Sequence, residues 1–397
     1  MVLKSPSIAL VGSRGIPGRY GGTETVVHEL SKRLKAKFQV YVTCESDRFS
    51  EDEYDGIIRV HIPSVQGKSL TIPSVNDVIA TTYLLLRHSK DVDLIYHVSP
   101  DGALAAVLSR LAKKRVLINS DGVEWRRLIK RSRFVPFHLF PLYLATMVHM
   151  YLMERLSCKL PDVTIADSLA IEEHLKRMHK PKKVVYIAYG ARELMPSSIP
   201  KEEERSILGK FGIKPRGYYL TVARIVAENN IHIELEGFKK ANSTKKLVIV
   251  GNFNKNDPYS KHLFKLAKGN ENILLLDPIY DREILGVLRK NAFAYIHAYE
   301  VGGTNPSLLE QMLFKRPILA YDVPFNKEVL QEGGIYFKDA EDLANKMEML
   351  ERGEFNLRLI KKTQIKRIKR QYNWEKVAGE YERLFRLVLR GRSYEGE

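Results

Sequence analysis

The sequence predicts an α/β protein made of two Rossmann-like βαβ domains, and two observations carry that expectation. Short apolar runs rich in Val and Ile alternate with longer stretches of helical periodicity along almost the whole chain. Most runs are not strictly alternating, which is how parallel strands covered on both faces look. The rhythm breaks once, over residues 191–217, where the chain is polar and holds three of its prolines, and then restarts. Two sheets joined by a linker and facing a cleft follow, with 1–190 as the first domain, 191–217 as the linker, 218–372 as the second domain and 373–397 as a terminal helix.

The strand candidates of the first half are 7–12, 38–44, 57–63, 93–99, 115–122, 163–167 and 184–190. Between them lie helical patterns such as ETVVHELSKRLK (24–35), whose apolar positions are three and four apart. The linker admits one short helix. The second half offers strands at 218–224, 246–251, 272–278, 292–298, 316–323 and 333–337, then a helical end.

Composition narrows the function classes. The 397 residues are 44% hydrophobic, ample for buried cores. The formal charge of +17 is spread over both halves and favours anionic partners. The run KKTQIKRIKRQ (361–371) reads as a solvated helix face, and no nucleic-acid-binding module accompanies it. Cys44 and Cys158 match neither a metal spacing nor a disulfide framework, so a reducing cytosol is expected. The amino terminus has too short an apolar run for a signal peptide. Residues 134–153 carry no Asp, Glu, Lys or Arg and follow the basic RRLIKRSR (126–133). Their two prolines and two histidines argue against a bilayer span. A buried helix, or a helix lying on an anionic membrane surface through 126–153, both remain open.

Ligands of open α/β sheets bind beyond the carboxyl ends of the strands, so the residues after each run matter. After the first comes GSRGIPGRYGGTETVVHEL (12–30), with five glycines, Arg14 and Arg19. It is neither the dinucleotide fingerprint nor a P-loop. Gly21 and Gly22 allow close approach of an anion, and Thr23 is placed to cap a helix from about Glu24. The fourth strand is followed by His97 and Asp101, the fifth by Asp121, Glu124 and Arg126. Turn and cap roles compete for both aspartates. In the second half Arg224 stands at a strand end, followed by Glu228, Asn229 and Asn230; Gly251 ends the next strand. Then VGGTNPSLLEQM (301–312) gives a helix start with Thr304 or Asn305 as cap and Pro306 in the first turn. Backbone N–H groups of Gly303, Thr304 and Ser307 are expected to face the site, with Glu310 further along the helix. The Asp-x-Asp at 91–93 precedes its strand, at the wrong end for a metal site, and no other group has metal spacing, so neither metal nor cofactor is expected.

RIVAENN with VGGTNPSLLEQM resembles the donor site of the family four retaining glycosyltransferases of GT-B fold. GSRGIPGRYGGTETVVHELSKRL and DGVEWRR resemble more narrowly their bacterial rhamnosyltransferase-like branch. The likeness runs to YNWEKVAGEYERLF near the end, a helix that in this fold crosses back to the first domain. It implies transfer of a sugar, with rhamnose a candidate, from a nucleoside diphosphate donor to a glycan or lipid-linked glycan. It implies no metal and a place in polysaccharide biosynthesis, in the cytoplasm or on the inner face of the membrane. Arg224 would contact the diphosphate, Glu310 the ribose, and Gly303, Thr304, Asn305 and Ser307 the distal phosphate and sugar. Gly21, Gly22, Asn229 and Gly251 complete the donor side. His97, Asp121 and Glu124 form the acceptor side, and Asp121, Arg224 and Glu300 are the candidate catalytic residues. Two departures stand out. The family's first glutamate falls on Gly302, with Glu300 two residues early, and its lysine is replaced by Asn229, which cannot supply a point charge. An epimerase or phosphorylase of the same fold, and a nucleic-acid-binding protein, are the rival readings.

Overall fold

A computed structural model of the chain describes residues 5–18, 22–65, 67, 72–191 and 199–391. The chain divides into two compact units. The first comprises Met1–Arg126, His138–Gly190 and Asn373–Glu397; the second comprises Arg127–Phe137 and Ala191–Tyr372. The short segment Arg127–Phe137, which lies inside the span read as one domain, therefore counts with the second unit. So do 191–217, where the helix Lys201–Lys210 stands.

The first unit is built on an eight-stranded sheet. Its strands are β1 (Ser7–Val11), β2 (Gln39–Ser46), β3 (Ser50–Tyr54), β4 (Ile57–Pro63), β5 (Leu94–His97), β6 (Arg115–Asn119), β7 (Val163–Ala166) and β8 (Val184–Tyr186). They lie in the order β3-β4-β2-β1-β5-β6-β7-β8. All pairs are parallel except β3 with β4. Strands β1, β5 and β7 are buried end to end, which matches their unalternating apolar runs. The edge strand β3, SEDEY, is too charged to look like a strand. Asp55 and Gly56 join it to β4 with φ of 52° and 76°, the paired positive values of a tight hairpin. The helix Trp374–Leu389 closes this unit. It buries Val377, Tyr381, Leu384, Phe385 and Val388, and the Tyr381 hydroxyl lies 3.0 Å from that of Tyr96. Arg33 of the helix Gly22–Leu34 donates to Glu375 at 2.8 Å.

The second unit repeats the plan with β9 (Tyr218–Val222), β10 (Lys246–Val250), β11 (Ile273–Leu276), β12 (Ala294–His297), β13 (Ile318–Tyr321) and β14 (Ile335–Phe337). The order is β11-β10-β9-β12-β13-β14, all parallel. Strand order reverses between β9 and β12, and in the first unit between β1 and β5. Such switch points are where doubly wound sheets open for ligands. The basic run lies on the helix Leu357–Arg370, where Thr363 and Gln364 face inward and most of the lysines are exposed, as a solvated face requires.

No described helix is long and apolar enough to cross a membrane. The stretch 134–153 becomes the short turns Ser132–Phe134 and Phe137–Leu139, then the helix Phe140–Lys159. That helix is buried only from Met150 onward, so the buried-helix reading holds for its second half alone.

Truncating Phe385 to alanine removes a fully buried ring from the contact between the terminal helix and Tyr96. The expected cost is about 3–5 kcal/mol. Urea denaturation should show it as a lower midpoint for the first unit.

Candidate functional site

The second unit gathers its candidate residues at the switch point between β9 and β12. Arg289, from the helix Arg282–Asn291, is 1% exposed and lies beneath the first turn of the helix Pro306–Leu313. Its Nη1 donates to the Ser307 carbonyl and to Gln311 Oε1, both at 3.2 Å. Its Nη2 donates to Ser307 Oγ at 2.8 Å and to Glu310 Oε2 at 3.3 Å. Its guanidinium carbon stands 5.2 Å from the centre of the Tyr295 ring. The Tyr295 hydroxyl in turn donates to the Val222 carbonyl at 3.1 Å and meets Ser307 Oγ at 3.0 Å. One buried cation thus ties the end of β9, the strand β12 and the start of the helix into one body. Burial raises the pKa of Glu310, and the Arg289 charge opposes the rise.

Arg224, two residues beyond β9, is exposed, and its guanidinium makes no hydrogen bond or ion pair with a described residue. It is a cation without an anion, held at the carboxyl end of the sheet. Its backbone is fixed: the carbonyl accepts from Asn229 Nδ2 at 2.8 Å and from the Val226 amide at 3.0 Å. Asn229 is buried by that contact, so it shapes the Arg224 loop and is not presented as a ligand group. Gly251 also serves packing, since a β-carbon there would stand 2.5 Å from the Ala223 carbonyl.

The helix start reads as expected in part. Asn305 is the cap, its Oδ1 accepting from the Ser307 amide at 2.9 Å, with Pro306 next. The Ser307 N–H is therefore taken and does not face the site bare. Thr304 is buried, and Gly303 is partly exposed. Gly302 has φ 155°, and a β-carbon there would stand 3.0 Å from Arg127 Nη2. The local backbone itself excludes the glutamate that the resemblance places there. Glu300 is engaged by Lys130 at 2.8 Å and by Asn230 Nδ2 at 3.1 Å. The neighbouring Glu228, 1% exposed, accepts from both Nε and Nη2 of Arg131, one edge of the guanidinium. Lys130 and Arg131 belong to the Arg127–Phe137 segment of this unit, which also places Phe134 against Tyr259 with ring centres 5.1 Å apart.

In the first unit the glycine-rich loop behaves otherwise than its composition implies. Gly12 has φ 101°, and a β-carbon on it would press on the Asp77 carboxylate at 3.0 Å. Gly15 has φ 119° and would collide with Cys44 at 2.8 Å. Both glycines are demanded by backbone and packing. The helix begins at Gly22, so Thr23 lies inside it and is not the cap. Gly21 and Arg19 lie outside the described residues. Arg14 is exposed and stands 3.9 Å from Glu24. The loop borders a cavity of ≈ 480 Å³ at the carboxyl ends of β1, β2 and β4, with Glu45, Asn76 and Asp77 among its polar walls. Burial pushes the Asp77 carboxyl well above the usual carboxylate range.

His97 is a correction. It is fully buried, Gly102 packs directly on its ring, and burial lowers its pKa to about 3. It is a neutral core residue, unavailable to an acceptor. Asp121 is partly exposed and accepts from the Tyr189 hydroxyl at 3.1 Å, while Gly122 turns the chain with φ 69°. Glu124 is the first residue of the helix Glu124–Arg131. Asp101 accepts from Ser74 and Ser99, and burial raises its pKa to about 6. Asp93 sits at the amino end of the sheet, where its Oδ2 accepts from the Ser7 amide at 2.9 Å, so the Asp-x-Asp is structural.

Arg289 escaped sequence reasoning because an arginine in a polar helix reads as surface. A buried group of Glu154, His174 and His179 escaped it too, its members being far apart in the chain.

Arg289→Met should cost about 3–5 kcal/mol, because it strands Glu310 and the Ser307 and Gln311 oxygens. Arg224→Ala should stay within about 0.5 kcal/mol of the parent. Equilibrium urea curves of the two variants check the contrast. Asp101 is harder to ionise folded than unfolded, so it disfavours the fold as pH rises from about 4 through 6. Asp101→Asn should therefore raise the melting temperature at pH 8 and leave it nearly unchanged at pH 4.

Residues 201–370 match the family described as "Glycosyl transferases group 1", and residues 6–192 match "Domain of unknown function (DUF1972)". No curated protein matches by sequence. Among solved structures the chain is similar to a sucrose-phosphate synthase from Thermosynechococcus elongatus, with TM-score 0.77 and 16% identity over 97% of this chain and 100% of that one. It is also similar to HepE of Anabaena in complex with UDP-glucose, with TM-score 0.71 and 13% identity over 96% and 99%. A UDP-forming trehalose-phosphate synthase from Burkholderia vietnamiensis follows, with TM-score 0.69 and 10% identity over 98% and 100%. The second unit's match lies on the residues that build the β9–β12 site, and both sheets are doubly wound. The chain is a glycosyltransferase of GT-B fold whose residues 201–370 form a glycosyl transferases group 1 domain.

Proposed function

We propose that the chain moves a sugar from a nucleoside diphosphate to a hydroxyl of a glycan or lipid-linked glycan, with retention at the anomeric carbon. The observation that carries this is Arg224, an exposed cation at the switch point of the second unit whose guanidinium meets no partner among the described residues. The neighbours HepE and trehalose-phosphate synthase are named with UDP-glucose and as UDP-forming, which supports a diphosphate donor. In the reaction the bond from the anomeric carbon to the diphosphate oxygen breaks. The acceptor oxygen bonds to that carbon on the same face, and its proton leaves with the diphosphate. The chief demand is negative charge growing on the leaving group. Arg224 meets it directly, and the positive end of the helix Pro306–Leu313 adds its dipole. Glu310, held by Arg289, is placed to accept from ribose hydroxyls. Gly302 removes one carboxylate partner of sugar hydroxyls, which favours a deoxy sugar such as rhamnose. Asp121 organises the acceptor.

A specific observation favours a membrane-borne acceptor. Phe137 is 94% exposed, and Leu139, Phe140, Leu142, Leu144 and Val148 follow it on the surface. Single exposed apolar residues are ordinary, but a run of this kind marks an interaction surface. Lys130 and Arg131 are spent on ion pairs, which leaves Arg133 as the exposed cation beside the run.

Arg224→Ala should lose at least about 100-fold in turnover, measured with the nucleoside diphosphate sugar that most raises the melting temperature. Near-normal turnover would refute the assignment. Turnover should not depend on added Mg²⁺ or Mn²⁺, and proton NMR of the product should show the donor's anomeric configuration. The protein should float with anionic liposomes at low salt, and Leu142→Asp should abolish this; no flotation contradicts the membrane reading.

A further inference from the structure

The carboxylate of Glu154 lies inside the first unit, on the helix Phe140–Lys159, and is 2% exposed. Three N–H groups converge on its Oε1. His174 Nε2 stands at 2.9 Å and His179 Nε2 at 2.6 Å, both from the helix Leu169–His179, and the Trp125 indole Nε1 at 3.3 Å. The two histidines are buried as well. A His-His-Glu set is also metal-ligand chemistry. Ligands bound at about 2.0–2.1 Å around one tetrahedral ion stand about 3.3 Å apart. The two histidine–Glu154 separations are shorter than that and are those of direct hydrogen bonds.

A buried carboxylate is costly unless its hydrogen bonds are met. Burial works to raise the Glu154 pKa, yet the two imidazoles outweigh it and hold the group below its ordinary value. The anion is therefore built in, and one of its contacts leaves the cluster for the loop after β6. Trp125 is the second residue of the helix Glu124–Arg131, directly after the turn that begins at Asp121. Its ring meets Tyr151 edge-on at 5.9 Å and His174 at 6.4 Å. At the other end of the turn Asp121 is held by the Tyr189 hydroxyl, which itself accepts from Asn119 Nδ2 at 2.7 Å.

We propose that Glu154, cradled by His174 and His179, is a positioning residue that anchors the Trp125 indole and so fixes the Asp121–Glu124 turn. Its catalytic meaning rests on the reading of Asp121 and Glu124 as the acceptor side; its structural content does not. An indole N–H that swings away from a buried anion gives up a charge-assisted hydrogen bond, which costs more than losing a neutral one. The turn is pinned at both ends, by Tyr189 and by Glu154.

The test uses the full chain with ¹⁵N-labelled tryptophan. It contains two tryptophans, Trp125 and Trp374, so two indole signals appear, and Trp374→Phe assigns them. In Glu154→Leu the Trp125 signal should move, and amides of 119–126 should exchange with solvent at least about 10-fold faster, while β5 keeps its protection. Glu154→Gln retains an acceptor oxygen and should restore most of the protection. Trp125→Phe should loosen the same amides, and adding it to Glu154→Leu should loosen them no further. Should Glu154→Leu fail to fold, Glu154→Gln and Trp125→Phe decide by the same readouts. An unmoved indole signal with unchanged exchange, equal loosening of β5, additive effects, or one tightly held zinc per purified chain would each overturn the proposal. None of these readouts needs donor or acceptor. Failure of nucleoside diphosphate sugars to bind would refute the transferase reading while leaving this one standing.

Discussion

The second unit depends on one buried cation. Arg289 lies under the sheet's switch point with no solvent to share its charge, and its four contacts decide where its neighbours can stand. Ser307 is drawn down onto Tyr295 and the end of β9, and Glu310 is drawn to the same guanidinium. A buried charge so engaged fixes geometry more than it adds stability. Arg224 gains its role by contrast. It stands a few residues from this rigid body on a loop held by Asn229, yet its own charge meets no anion among the described residues. The pairing of a buried cation engaged by its neighbours with an exposed one open to ligand is what a site for a diphosphate leaving group needs, because the donors are in place before charge develops.

The carboxylates around this site are managed in the same way. Glu228 and Glu300 would repel a diphosphate if they stood alone. Arg131 and Lys130 neutralise them, and Asn230 holds Glu300 from the other side. Gly302, two residues after Glu300, has a backbone that disfavours any side chain. The missing glutamate of the family pattern is thus not a free position awaiting a substitute. It stands against Arg127, whose segment also carries Lys130 and Arg131, basic residues that the sequence offers as a membrane-facing run and the structure spends largely on this unit.

Most of the fold was legible because parallel strands buried on both faces must be apolar throughout, and thirteen of the fourteen strands among the described residues overlap a run read from the sequence. The exception, β3, is an edge strand whose carboxylates Glu51 and Asp52 are paired with Tyr83, His88, Arg59 and His61. The Asp55-Gly56 pair was the signal that could have found it. At the sites, cap chemistry was readable at Asn305 because a cap is local. It failed at Thr23 because the helix starts earlier, at Gly22. His97 was misplaced because the end of a strand lies near a ligand only if its side chain points out, and Gly102 closes over this one. Gly12 and Gly15 belong to the glycine-rich loop from which an anion site was expected, but their bare backbone makes room for Asp77 and Cys44. Arg289 and the Glu154 group were hidden for one reason: their partners are set by tertiary packing between helices, which spacing along the chain does not encode.

The central claim is that the diphosphate is held by the Arg224 loop and the start of the helix Pro306–Leu313. Hydrogen-exchange mass spectrometry with and without saturating nucleoside diphosphate, taken from UDP, dTDP and GDP, tests it most directly. The account predicts that at least one of them slows exchange at 222–230 and 302–310 and that Arg224→Ala abolishes the effect. A diphosphate that binds tightly while leaving both stretches unprotected, or the absence of binding by all three, would contradict it.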